Sequence, residues 1–319
     1  DMPEGRHINH ATKVLQELAA LDERKQLTKL GRELAKVPVD PRIARLLIAG
    51  RERGCAAEMA VLASFLSVQD PRERPSDARG KADEAHAIDK DVKSDYVTLL
   101  NLWRRLQAQK SELSNSKFRG WCRDNYLGFL RVREWMDVHR QLSEMLPEAK
   151  ERKLRDKETL AEPQPFAQLH TALLSGLITQ VGEVTNKGDY RGPRSQRFHI
   201  FPGSSVFGKK PKWLMTFATV ETTKVYARTN AEIRPAWIED AGKHLLKRQC
   251  LEPYFSAKRQ QVLAKEQVSI YSLVLSQDKK VLKALEKWHP GYINWWNDLI
   301  PQNFQESMVY LRTAVSVDP

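Results

Sequence analysis

The chain has only three cysteines in 319 residues, Cys55, Cys122 and Cys250. They are too far apart to form a CxxC pair, and no histidine stands at metal-ligand spacing from any of them, which excludes a zinc ribbon or zinc finger. An odd count with no apparent signal peptide and no long apolar run argues against a disulfide scaffold and a membrane partner, and points to a reducing, cytoplasmic setting. Each cysteine reads as a small buried apolar side chain. Catalytic signatures are equally scarce. There is no GxSxG elbow and no HExxH, and the eight histidines are scattered. No catalytic residue, metal or cofactor is expected in this chain, so it does not read as an enzyme by itself.

Positive charge is abundant. Fifty-two lysines and arginines against 40 acids give a net charge of +12 and a pI near 9.5, which favours a polyanionic partner. The charge is not spread evenly. Residues 166–275 hold 16 basic and 8 acidic side chains, so about a third of the chain carries two thirds of the net charge.

Periodicity divides the chain into three textures and a tail. Residues 1–44 read as a partial winged helix: Ala11, Val14, Leu15, Leu18 and Leu21 follow helical spacing. A second short helix then starts at Thr28, placed as its N-cap, and is expected to end at Pro38 and Pro41. Residues 45–165 read as a helical bundle, including one long run from Phe118 to Leu146 in which Trp121, Tyr126, Phe129, Leu130 and Trp135 supply a core face. After Pro163 and Pro165 the texture turns to strands, beginning with GLITQVGEVT from Gly176. About five short strands followed by a helical stretch at Ile238–Leu246 fit a small OB-like β-barrel within 166–275. The fold class is α+β multidomain, with a tail at 276–319 of different texture.

The barrel segment carries the candidate site. Lys209, Lys210, Lys212, Lys224 and Arg228 are placed to neutralise phosphates, and Thr222 and Thr223 to donate hydroxyl hydrogen bonds to a backbone. Phe198, His199 and Trp213 are candidate stacking surfaces, with Phe201 and Phe207 nearby, which together make the two components of single-strand binding. The competing reading makes the aromatics barrel core and leaves only the lysines to touch nucleic acid. A scaffold docking on acidic proteins is the alternative function.

Two look-alikes are set aside. Asp83-Glu84-Ala85-His86 spells a helicase magnesium motif, but no buried apolar strand precedes it to aim the aspartate. Gly203 to Lys210 nearly matches a P-loop, yet Lys210 stands where a hydroxyl is needed and Pro211 leads toward a strand rather than a long helix.

Several segments carry a resemblance: LQELAALDERKQLTKLGRELAKVPVDPRIARLL, FLSVQDPRERP, WCRDNYLGFLRVREWMDVHRQL, FHIFPGS and KKPKWLMTFATVETTKVYARTNAEI. In this order they resemble the C-terminal half of bacterial HrpA-type DEAH-box RNA helicases, over about residues 1–275. The resemblance implies a winged helix, a ratchet-like helical bundle and an OB-fold that guide single-stranded RNA, with DNA an alternative, for two RecA-like motor domains. It places ATP and Mg²⁺ in those motors and not here. The chain is expected to begin inside the winged helix. From Gln277 onward the tail is similar to the N-terminal segment of BoxB-type benzoyl-CoA epoxidases. It carries Trp288, Tyr292, Trp295 and Trp296 but none of the carboxylate and histidine ligands that a di-iron centre requires.

Overall fold

A computed structural model describes residues 5–256 and 261–281. The aromatic tail calls at Trp288, Tyr292, Trp295 and Trp296 lie outside the described residues. Helices α1 (Gly5–Glu17) and α2 (Lys29–Leu34) flank a tight turn in which Leu21 pairs with Leu27. Thr28 caps α2 as its position predicts, its hydroxyl accepting from the Gly31 amide at 2.9 Å. Pro41 does not end this element. It sits in the first turn of α3 (Pro41–Glu52), where its missing N–H leaves no bond unmade, and Asp40 caps that helix through the Arg42 amide at 2.9 Å. Ala20, Leu34, Ala44 and Ile48 then form one core, so the segment of α1 and α2 and helix α3 share their apolar interior.

The bundle continues through α4 (Ala56–Leu66), α5 (Arg79–Ala87), α6 (Asp95–Glu112), α7 (Asn115–Asp124), α8 (Phe129–Met145), α9 (Pro147–Glu151), α10 (Lys157–Ala161) and α11 (Pro163–Leu177). Helix α4 is buried from Ala56 to Phe65, so it is the apolar centre and not an amphipathic surface helix. Trp135 is fully buried, and its indole N–H donates to the Val61 carbonyl and the Ser64 hydroxyl, both at 3.1 Å. The run expected to be one helix is two. Tyr126 takes a left-handed conformation, φ 55°, between α7 and α8, and Arg72 pairs with Leu127 there. The break turns Leu130 outward, 75% exposed, so it is not part of the core face assigned to it.

Pro163 and Pro165 occupy the first turn of α11, so strands begin at Val181 and not at Gly176. Strands β1 (Val181–Val184), β2 (Tyr190–Arg191), β3 (Arg197–Ile200), β4 (Trp213–Glu221) and β5 (Val225–Glu232) close into a barrel of order β1-β2-β3-β5-β4. Only β3 and β5 pair in parallel. Tyr190, Phe198, Ile200, Val206, Leu214 and Ala227 fill the interior. Gly182 is required beneath Phe198, since a Cβ there would lie 2.6 Å from the ring. Helix α12 (Pro235–Ala241) follows the barrel.

The barrel is seated on the first turn of α6. The buried Asp95 carboxylate accepts from the Ser204 hydroxyl at 2.6 Å, the Ser205 amide at 2.6 Å and the Asn230 amide at 2.7 Å. Beside it, the Ser94 hydroxyl bonds His170 Nε2 at 2.8 Å. Strands β6 (Leu246–Ser256), β7 (Gln261–Ile270) and β8 (Leu273–Val281) form an antiparallel meander that belongs to a second compact unit starting at Leu246. The sequence pattern places no strands there.

Candidate nucleic-acid interface

Alternation along β3 sends Phe198 and Ile200 into the barrel and leaves Arg197 and His199 on its outer side. On β5, Ala227 points in and Tyr226 and Arg228 point out. Cross-strand pairing joins these outward positions: Arg191 opposite Arg197, and His199 opposite Tyr226. The result is one outer face of alternating cations and rings. Arg228 stacks its guanidinium 4.6 Å from the Phe201 centroid. Phe201 and Tyr226 meet edge to face at 6.3 Å, and His199 lies 6.2 Å from Tyr226. Phe201, His199 and Tyr226 are each half-buried.

Acid partners temper this face. Arg197 bonds Asp189 at 3.2 Å. The Thr185 hydroxyl and the Arg197 guanidinium together hold the Asp189 carboxyl below its ordinary value. Lys212 lies 3.9 Å from Glu183, an exposed and therefore weak pairing.

The remaining candidates fall into two groups. Lys209, Lys210 and Lys212 are exposed in the loop between β3 and β4, and the Lys210 amine approaches the β1–β2 turn, 3.7 Å from where a Cβ on Gly188 would stand. That turn adds the exposed Lys187. Phe207 in the same loop is 47% exposed. Thr222, Thr223 and Lys224 form the exposed β4–β5 hairpin tip, where the Thr222 amide donates to the Lys224 carbonyl at 3.0 Å. The nine residues of β4 separate the two groups by roughly 25 Å at 3.3 Å per residue. They are therefore opposite ends of a strip, with the Arg228–Phe201–Tyr226–His199 face on the barrel wall.

Two candidates are corrected. Phe198, 3% exposed, and Trp213, 4% exposed, have no open ring face and cannot stack on a base. The sequence reading also missed Lys187, Arg191, Arg197 and Tyr226. A signal for Arg197 and Tyr226 was present: Arg197 and His199, like Tyr226 and Arg228, stand two apart on a strand, at same-face spacing.

Neither catalytic look-alike has its working context. Asp83 and His86 lie on α5, where Asp83 pairs with Arg74 at 2.6 Å and His86 Nε2 meets the Tyr126 carbonyl at 3.1 Å. The loop from Gly203 to Lys210 opens into β4, and its two serines are engaged by Asp95. Among the described residues no helix is long and apolar enough to cross a membrane.

Three family models match the chain in order. Residues 11–39 match the helicase-associated winged-helix domain, 40–124 the ratchet-like helicase-associated domain, and 169–245 the oligonucleotide/oligosaccharide-binding fold. The chain is 42% identical to the ATP-dependent RNA helicase HrpA homolog of Haemophilus influenzae over 281 residues, which is 86% of this chain and 21% of that protein. It is 39% identical to the ATP-dependent RNA helicase HrpA of Escherichia coli over 287 residues, 88% of this chain and 22% of that protein. The chain thus spans about a fifth of the length of the curated relatives it matches.

Proposed function

Because this chain is an HrpA-type helicase module, with winged-helix, ratchet-like and OB-fold domains in succession, we propose that its barrel holds single-stranded RNA and guides it to motor domains outside this chain. The observation that carries the reading is the outer face on which Arg228, Phe201, Tyr226 and His199 alternate charge with half-open rings. Rings of that exposure stack on bases of any identity, while Lys209, Lys210 and Lys224 meet phosphates at the two ends of the strip and Arg191 does so on the barrel wall. Among the described residues no helix presents a set of base-edge side chains, so recognition is tolerant of sequence. The cytoplasm is the corresponding compartment. ATP hydrolysis and unwinding belong to the motors of the full-length helicase.

Fluorescence anisotropy with single-stranded RNA, single-stranded DNA and a heparin competitor over a salt series tests this. With about five phosphates contacted, log affinity should fall against log salt with a slope near −3.5, at about 0.7 per contact. Replacing Lys209 and Lys210 together by Ala should flatten the slope by about one unit. Displacement of RNA by heparin at equal charge, with no preference for polynucleotide, would replace the reading with docking on acidic proteins.

A further inference from the structure

The winged helix carries a second positive surface that the barrel site does not use. Between α1 and α2, the Asp22–Gln26 turn is closed by three hydrogen bonds: the Gln26 amide to the Asp22 carboxylate at 2.7 Å, the Asp22 amide to the Gln26 carbonyl at 3.0 Å, and the Lys25 amide to the Asp22 carbonyl at 3.0 Å. The Gln16 side chain ties the turn to α1 through the Asp22 carbonyl at 3.0 Å. Asp22 is thereby committed to shaping the turn, and Arg24 and Lys25 are exposed at its tip beside the exposed Glu23. Helix α2 continues the surface. Lys29 and Arg32 are exposed on it three residues apart, on one stripe, and the exposed Lys36 follows in the turn just past the helix end at Leu34. The opposite face buries Gly31 and Leu34. Gly31 fixes the stripe in place, because a Cβ there would stand 2.1 Å from the Ala20 carbonyl oxygen. Nearby Glu33 is already paired with Arg51.

Arg24, Lys25, Lys29 and Lys36 have no ion-pair partner among the described residues. The turn and the stripe themselves, residues 22–36, contain no aromatic side chain to place against a base. Five cations on rigid backbone, without a stacking group, suit a ligand that presents closely spaced phosphates and hides its bases. We infer that the Asp22–Gln26 turn and the outer stripe of α2 bind the backbone of double-stranded nucleic acid, independently of the single-strand strip on the barrel.

The test measures anisotropy of the full chain on a blunt duplex RNA of about two helical turns and on single-stranded RNA. It compares the native sequence with the combined variant Arg24→Gln, Lys25→Gln, Lys29→Gln, Lys36→Gln. These substitutions are on exposed positions, and circular dichroism with a thermal melt establishes that the variant folds. The expected result is a loss of duplex affinity of about tenfold or more, a salt slope flatter by about 3 units, and single-strand affinity within about twofold. Unchanged duplex affinity and slope would overturn the inference while leaving the barrel reading intact. Equal loss on both ligands would also overturn it, by showing one merged site. A native chain that prefers an acidic peptide of matched charge to the duplex would overturn it in favour of a protein partner. Loss of single-strand binding in the native chain alone would sink the barrel reading instead.

Discussion

Phe198 on β3 and Tyr226 on the adjoining β5 are both aromatic, yet one faces the barrel interior and the other its outer wall. Phe198→Ala should cost about 3 to 5 kcal/mol of stability, from lost burial and the cavity left behind. A lower urea midpoint would show it. Tyr226→Ala should change stability by about 1 kcal/mol or less and weaken single-stranded RNA by roughly tenfold, the value of one stacked base. Equal stability losses in the two variants would contradict the assignment of faces. Spacing in the sequence announces which residues share a side, but the choice of which side faces in depends on Gly182 leaving room for the Phe198 ring, a contact between strands that pattern alone does not show. His170 offers a pH-dependent check. Burial pushes its pKa down from 6.5 to about 4. It stays neutral in the folded state while the unfolded chain protonates near 6.5, so its contribution is complete above pH 6.5 and is lost as pH falls toward 4. The loss amounts to about 3 kcal/mol. Urea midpoints at pH 7 and pH 5 should differ in that direction, and His170→Asn should shrink the difference.

At the level of elements, α6 matters most through its first turn. Asp95→Ala leaves the Ser205 and Asn230 amides without their acceptor, and each hydrogen bond to a charged group is worth about 1.5 to 3 kcal/mol. The variant should be cut faster by protease in the loop of residues 201–212, with α-helical circular dichroism retained. Equal cleavage rates would show that Asp95 does not hold that loop. Which elements were legible follows from how local their causes are. Thr28 announces its helix because capping is settled within three residues. The barrel strands announce themselves by alternation and by Gly188 at a left-handed turn. Pro41 misleads, since the same ring that cannot continue a helix is also suited to start one, and only Asp40 beside it distinguishes the cases. The break at Tyr126 is hidden for a different reason. Its left-handed backbone is stabilised by contacts with the Pro71–Glu73 segment, more than fifty residues earlier. Strands β6 to β8 mix polar and apolar side chains with a register irregularity in each pairing, which blurs the alternation that marks a strand.

On the scale of the molecule, the compact unit ending at Leu245 contains the winged helix, bundle and barrel together. A chain ending there should unfold in one cooperative transition with a midpoint close to that of the same unit in the longer chain. Two separate calorimetric transitions in the shortened chain would show that barrel and bundle are held together less tightly than Asp95 and Ser94 imply. The Asp40–Pro41 junction has a mechanical meaning as well. With Ala20 and Leu34 on one side of it and Ala44 and Ile48 on the other in a single apolar interior, there is no hinge where one module hands over to the next. Force applied at α2 is passed to α3 through packed side chains, so a ligand gripped at the amino-terminal module would bear on the helix that follows it, as a rudder bears on the post it is fixed to.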